Sequence, residues 1–166
     1  KKNRHELRRK LRRAGGNTAD VEWYIVGEEH DLDEQLGQFL ELMAASSEEK
    51  ARFLEDDAHV AFFYAMVPKM AAQGWLQLAF LMANDSPAAA YLNFEYNNRV
   101  LVYNSGHNAE DFGHLSPGIV LLARLIEHAI GNERKAFDFR RGDEPYKYDM
   151  GGQDTNVYQV HVRPKA

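Results

Sequence analysis

Three stretches of the chain place apolar residues three or four positions apart, which is the spacing of one face of a helix. They cover residues 31–45, 56–72 and 115–130. Asp31 is a typical N-cap for the first stretch, and Pro68 predicts a kink or a break within the second. In the third, Ser116 is placed to cap a helix that Pro117 opens and Gly131 closes. These segments are therefore predicted helices.

Two further helices are predicted by other signals. Ser46 and Ser47 precede a pair of glutamates, which is typical of a helix start of the capping-box kind. Residues 3–14 form a basic segment that Gly15-Gly16 would stop. The chain thus begins with helices.

The pattern changes to strand-like runs after Gly74. Three consecutive runs cover residues 75–82, 88–96 and 99–105. The turn formers Asn84 to Pro87 separate the first two, and Asn97-Asn98 separates the last two as a two-residue loop of the type I′ kind. We therefore expect an antiparallel meander. Shorter β-prone runs predict additional strands at 21–26, 136–139 and 155–162.

The order of these elements predicts an α+β fold. Helices come first, then three antiparallel strands, one long helix, a strand, an irregular segment and a last strand. The passage from residue 99 to 139 is a strand–helix–strand crossover, so its two strands should lie side by side and parallel.

Composition agrees with one hydrophobic core in 166 residues, 45% of them hydrophobic and 27% charged. Cysteine is absent, which excludes disulfides, a thiolate nucleophile and cysteine-ligated zinc. No apolar run approaches the ~20 residues of a membrane span, and no signal peptide is recognisable. We expect a cytoplasmic protein. Because the sequence does not begin with Met, we also expect a fragment of a longer chain.

The net charge of −5 is unevenly distributed. Residues 1–13 hold eight lysines and arginines against one glutamate, a net +7, and the remainder is net −12. The basic block could bind nucleic acid, anionic lipid or a phosphate-rich ligand. Alternatively it is a solvated helix with Leu7 and Leu11 on its buried side.

The start of the long predicted helix is the first candidate site. Free backbone N–H groups at Ser116-Pro117-Gly118 would suit a phosphate, and Gly118 allows close approach. The alternative is ordinary helix capping. Four titratable residues precede this point, but their spacing matches no standard metal motif, and we predict no metal site. They are His107, Glu110, Asp111 and His114.

The segment "FDFRRGDEPYKYDMGG", residues 137–152, is the second candidate site. Asp138 lies between two phenylalanines in a predicted central strand, where a carboxylate has either a catalytic task or an arginine partner. Lys147 lies between two tyrosines after Pro145. Such a lysine can hold phosphate or stabilise developing negative charge, and Tyr146 could act as a general acid. The alternative is a surface loop of salt bridges.

The third candidate is Glu95, which shares a strand face with Tyr91, Asn93 and Asn97 by the period-two rule. Such a face either lines a substrate cleft or is simply solvated. The sequence carries no nucleophile elbow, P-loop, dinucleotide fingerprint or His-Glu-x-x-His motif, so covalent catalysis is poorly supported.

Two motifs together resemble a known family. The segments "HLSPGIVLLARLIEHAI" and "FDFRRGDEPYKYDMGG" look like the FemAB/CelD-like branch of GNAT acyltransferase domains. That branch carries a Ser-Pro-Gly helix start and an Asp-Phe-x-Arg-Gly-Asp-x-x-Tyr-Lys segment, matched here at 116–118 and 138–147. The resemblance implies a mixed, mostly antiparallel sheet with helices on both faces. Residues 1–16 would be a leading helix, and 75–163 would hold the core sheet and the cofactor helix.

The resemblance also implies transfer of an acyl group from acetyl-CoA or another acyl-CoA to an amine. The implied catalytic residues are Lys147, Tyr146, Asp138 and Glu95. The implied donor-binding residues are Ser105, Gly113, Ser116, Pro117, Gly118 and Ile119. The acceptor would be a small molecule or a saccharide or peptide amine, and relatives act in cell-envelope or exopolysaccharide synthesis.

Alternatives to this activity remain open. The loop before the long helix lacks the Gly-rich Q/R-x-x-G-x-G/A signature of ordinary acetyl-CoA-binding GNAT domains, which leaves the acyl group undetermined. FemAB-type relatives transfer an aminoacyl group from tRNA, and residues 1–13 could contact that tRNA. This branch often has a preceding GNAT-like half, so the chain could be the C-terminal half of a tandem protein or a non-catalytic scaffold.

Overall fold

The computed structural model describes residues 2–16 and 19–162. Its helices are α1 (Lys2–Ala14), α2 (Leu32–Ser46), α3 (Glu48–Leu54), α4 (Asp57–Ala72), α5 (Ala109–Phe112), α6 (Pro117–Gly131) and α7 (Pro145–Asp149). Its strands are β1 (Val21–Ile25), β2 (Leu76–Ala83), β3 (Ser86–Tyr96), β4 (Arg99–His107) and β5 (Ala136–Asp138). A short 3₁₀ turn, Gly113–Leu115, precedes α6.

The strands form one sheet in the order β1-β2-β3-β4-β5. The first four pair antiparallel, and β5 joins β4 in parallel after the α6 crossover. Both the meander and the parallel crossover were predicted and are confirmed. Asn97 and Asn98, with φ of 50° and 58°, form the predicted type I′ turn. The fold is an α+β fold of mixed topology, with helices around the sheet.

Each face of the sheet carries its own core. One core packs α2 and α4 on the sheet, with Phe39, Phe63 and Phe80 fully buried. The other packs α6 on the opposite face through Leu121, Leu122 and Leu125, with α1 against α6. Helices on both faces were predicted from the resemblance and are confirmed.

Of the kink or break predicted at Pro68, the break is absent because α4 is continuous through that residue. Three local predictions are wrong. Ser116 stands at the N-cap of α6 in a left-handed conformation, φ 54°, and its hydroxyl makes no capping bond. Tyr146 and Lys147 lie on the short helix α7, where a loop was expected. The segment 155–162 was predicted to be a strand, but none of the described strands pairs with it.

That last segment is also exposed. Val157 and Val160 are 88% and 81% accessible, so the alternating valines bury nothing. Strand β1 pairs with β2 at the edge of the sheet opposite β5. The described sheet therefore includes residues 21–25, which precede the predicted start of the core sheet at residue 75.

One contact fixes the position of α2 against the sheet. Gly106 on β4 lies so close to α2 that a Cβ atom there would be 2.3 Å from both Leu42 C and Met43 N. Because the near atoms belong to the backbone, a side chain cannot be accommodated by a rotamer change. The glycine therefore sets the distance between β4 and α2 at the end of the strand that carries the site.

We predict that Gly106→Ala destabilises the protein by about 3 kcal/mol, since an overpacked methyl must displace α2 from the sheet. Thermal and urea unfolding followed by circular dichroism would measure this. The control is Gly131→Ala at the end of α6, where a Cβ would meet nothing within 4 Å. Equal stability of the two variants would contradict the tight contact.

Candidate active site

Strand β4 separates from β5 partway along its length. The two strands pair only from Arg99 with Ala136 to Leu101 with Asp138, after which β5 ends and β4 continues to His107. The register between β3 and β4 shifts at this point, leaving Tyr103 as an extra residue on β4. Such a bulge bends and twists its strand. Residues 104–107 consequently pair with β3 on one side, and none of the described strands pairs with their other, open edge.

Side chains satisfy the backbone of Ser105 on this edge. Its N–H donates to Asn104 Oδ1 at 2.8 Å, and its carbonyl accepts a hydrogen bond from Lys50 Nζ. Lys50 reaches it from the first turn of α3, whose N-cap is Ser47. Unpaired strand edges are able to bond to an extended ligand, so Ser105 would become a bonding position for an amide-containing chain once Lys50 or Asn104 is displaced.

A small group of hydroxyls lies on the α6 face of the same edge. Tyr91 is buried and lies directly opposite Ser105 in the pairing of β3 with β4. Burial, with a smaller contribution from Tyr146, raises the pKa of Tyr91. Burial also raises the pKa of Tyr146, as does the charge of Glu144. Both phenols therefore remain protonated near neutral pH, and both can act as hydrogen-bond donors.

The end of β4 leads directly to the start of α6. The ring of His107 lies beside Gly118, where an added Cβ would be 3.9 Å from ring atoms. Burial lowers the pKa of His107, and the positive charge of Lys50 lowers it further. Ile119 and Val120 donate their N–H groups to the Ser116 carbonyl. The predicted donor residues Ser116 to Ile119 thus lie next to the open edge of β4, with Gly113 in the preceding turn.

Lys147 is held inside its own loop. It is 7% accessible, and its Nζ donates to the Arg141 carbonyl at 2.7 Å and to the Gly142 carbonyl at 3.3 Å. Glu144 Oε2 lies 2.7 Å from the same nitrogen. This hydrogen bond is the first cause of the lowered pKa of Glu144. To meet an acyl donor, the ammonium would have to leave these oxygens, so its catalytic role stays a prediction.

The two predicted carboxylates have different surroundings. Asp138 is the last residue of β5, which is an edge strand, so the predicted central position is wrong. Its Oδ1 accepts a hydrogen bond from Arg140 N at 2.7 Å. This turn, with Arg140 at a φ of 61°, leads the chain away from the sheet. Neither arginine that follows Asp138 forms an ion pair with it within 4.0 Å. The carboxylate therefore stands at the point where β4 and β5 part.

Glu95 is part of a polar cluster beneath the C-terminal end of α6. It forms an ion pair with Arg134 and accepts a hydrogen bond from Gln77, which in turn accepts from Asn93. The structure does not bring Glu95 together with Tyr91 and Ser105, although all lie on or beside β3. Within this cluster Arg134 already compensates the charge of Glu95.

Sequence reasoning overlooked Lys50, which the structure places on the β4 edge. One signal was available: Lys50 lies in the first turn of α3, where a cation opposes the helix dipole and a glutamate would complete a capping box. A lysine at such a position gains no stabilisation from its own helix. Its partner could not be predicted from the sequence, because Ser105 lies 55 residues further along the chain.

The basic helix α1 ends near the start of α6. Leu11 packs into the core beneath α6, as predicted for the buried side of this helix. Ala14, which was not predicted, packs there as well, and Leu7 is not part of that core. Arg13 reaches across to donate to the His114 carbonyl at 2.9 Å. A concavity of about 450 Å³ between the end of α1 and the start of β1 is lined mainly by small residues, and Asp20 is the titratable one among the described residues of its lining.

The chain belongs to the acetyltransferase (GNAT) domain family, whose model matches residues 1–148. Enzymes of this family are N-acyltransferases that use an acyl-CoA and an amine acceptor. The match covers every described helix and strand up to α7, including the parted strands and the start of α6. A search of curated proteins returned no match.

The described residues contain neither a membrane-spanning helix nor a metal-binding cluster. None of the helices between residues 2 and 162 is both long enough and apolar enough to cross a membrane. Within the described ranges, no group of three histidine, aspartate or glutamate side chains is placed to hold a metal ion.

We predict that Lys147→Met destabilises the protein by about 2 kcal/mol, because it removes the charged donor shared by the carbonyls of Arg141 and Gly142. Thermal unfolding would measure the loss, with Lys135→Met as the control for removing one lysine charge. The contribution of Glu144 should be present above the unfolded pKa of the carboxylate and decline as the pH falls through its lowered folded pKa. An unchanged melting temperature would show that the loop does not need this lysine.

Proposed function

We propose that this chain is an acyl-CoA-dependent N-acyltransferase whose donor lies along the open edge of β4. The observation that carries the proposal is the separation of β4 from β5 after Leu101 and Asp138. A pantetheine arm is an extended chain with two amides, and a free strand edge offers it hydrogen bonds in register. Its phosphates would then reach the start of α6, where backbone N–H groups favour anions.

The acceptor amine is proposed to approach Asp138 from the α4 face. Phe137 packs into the core beneath α6, so the neighbouring Asp138 faces the other side of the sheet. On that side Tyr103, 44% accessible, packs against Phe63 and Phe94. This aromatic surface beside a carboxylate suits an ammonium carried on an apolar or ring-shaped group.

In the proposed reaction the amine nitrogen attacks the thioester carbonyl carbon, and the C–S bond then breaks. The bound ammonium first loses one proton to solvent and becomes the attacking amine. Asp138 then takes a second proton from the nitrogen, as a general base where the two strands separate. Tyr146 donates a hydrogen bond to the departing sulfur and supplies its proton, which solvent replaces. The products are an amide and free CoA.

The remaining attributes are proposed on the motif resemblance. They are membership of the FemAB/CelD-like branch, a role in cell-envelope or exopolysaccharide synthesis, a cytoplasmic location, and an origin as the C-terminal half of a tandem protein. Aminoacyl transfer from tRNA is the second candidate function. The exposed arginines of α1, close to the start of α6, favour it because they extend the basic surface beyond the donor site.

We predict saturable binding of acetyl-CoA or a longer acyl-CoA by calorimetry, and its loss in Ser116→Glu, which puts a negative charge where the phosphates would lie. The Kd of Ser116→Glu for the acyl-CoA should be at least about tenfold higher than that of the wild-type chain. Glu133→Gln at the far end of α6 is the control. Absence of binding to either donor by the wild-type chain would reject the acyl-CoA enzyme and leave the tRNA-dependent and scaffold alternatives.

We predict that Asp138→Asn lowers kcat by about 10²- to 10⁴-fold while acyl-CoA affinity changes little, because the amide cannot accept the amine proton. Release of CoA from the donor in the presence of amines would be followed by a thiol reagent. Glu95→Gln is the matched comparison, and we expect a smaller effect on kcat from it. If Glu95→Gln alone abolished turnover, the base would lie beneath α6 and this assignment would be wrong.

A further inference from the structure

Lys50 brings a cation to the open edge of β4. Its backbone is fixed by the Ser47 cap at the start of α3, and its Nζ donates to the carbonyl of Ser105. The side chain is partly buried, and burial lowers the pKa of Lys50, partly offset by the charge of Glu49. The position of this ammonium is therefore specified by α3 and β4 together.

The charge of Lys50 has no carboxylate to neutralise it at close range. None of the ion pairs within 4.0 Å among the described residues includes Lys50, whereas Lys147 has Glu144. Its positive field reaches His107 at the end of β4, where it lowers the pKa of the imidazole. A desolvated ammonium bonded to a neutral carbonyl is costly, and an anionic partner would compensate it far better.

We propose that Lys50 binds a phosphate group of the acyl donor and gives up the Ser105 carbonyl when the donor enters. This inference rests on the proposed function. The same movement frees the Ser105 carbonyl to accept an amide N–H of the pantetheine arm. One side chain thereby couples recognition of the anionic end of the donor to exposure of the edge that holds its neutral arm.

The geometry allows this exchange. A donor that follows the edge from the parting of the strands at Leu101 towards His107 passes Ser105 before its phosphates reach the end of β4. The four-carbon stem of a lysine lets its head move several ångströms without any movement of α3. No other described lysine contacts β4 by a side-chain hydrogen bond.

The test compares the affinities of CoA and of pantetheine, which lacks the phosphates, for the wild-type chain and for Lys50→Met. We expect Lys50→Met to weaken CoA binding by about ten- to a hundredfold, the effect of one lost charge-assisted bond. Pantetheine affinity should change less than about twofold. Lys50→Arg should bind CoA nearly as the wild type does. Lys69→Met, which removes an exposed lysine from α4, is the control of equal charge.

Each other outcome overturns the inference in a recognisable way. Equal losses for CoA and pantetheine would show that Lys50 only maintains the shape of the edge. Unchanged CoA affinity would show that it binds no phosphate. Failure of the wild type to bind CoA would reject the proposed function and this inference with it. If Lys50→Met does not fold, Lys50→Gln, which keeps a donor for Ser105 without the charge, decides by the same comparison.

Discussion

The short pairing of β4 with β5 is the constraint on which the candidate site depends. Pairing ends where Asp138 accepts a hydrogen bond from Arg140 N and the chain enters a left-handed turn. On the facing strand, the extra residue Tyr103 disrupts regular pairing with β3 at the same level. If β5 continued alongside β4, the backbone N–H and carbonyl of Ser105 would form hydrogen bonds with β5, and no extended ligand could bond to them.

The two partly buried lysines show how the chain uses positive charge around this opening. Lys147 is compensated by Glu144 and surrounded by carbonyls, so its charge stabilises the loop that follows β5. Lys50 has a carbonyl alone, so its charge is available. Lys147 and Lys50 differ electrostatically because the groups that bond to their ammonium nitrogens differ, although both residues are lysines. The catalytic role of Lys147 stays a prediction, whereas Lys50 has no carboxylate within 4.0 Å among the described residues.

Much of the fold could be predicted because its signals are local. The type I′ turn at Asn97-Asn98 and the Asp31 cap need only neighbouring residues, and both occur as expected. The parallel crossover followed from chain order. The strand expected at 155–162 shows the limit of this reasoning: alternation describes a face that could be buried, and burial requires a partner strand. The pairing of Lys50 with Ser105 is equally non-local.

The site residues stay a prediction, and only part of their arrangement could be anticipated from the sequence. Gly118 lies beside His107 at the end of β4, but the left-handed conformation of Ser116 and the loop bonds of Lys147 depend on tertiary packing. Glu95 is a carboxylate, the residue type expected of a general base. Its ion pair with Arg134 could not be identified from the spacing of residues on β3.

Amide hydrogen exchange with and without saturating CoA tests the central claim most directly. We expect slower amide exchange at residues 102–107 and in the first turn of α6 when CoA is bound, because the donor would bond to the free edge of β4. Exchange at the Asn97-Asn98 turn should be the same with and without CoA. Protection elsewhere on the surface, with the amides of 102–107 and α6 unchanged, would contradict a donor site between the parted strands.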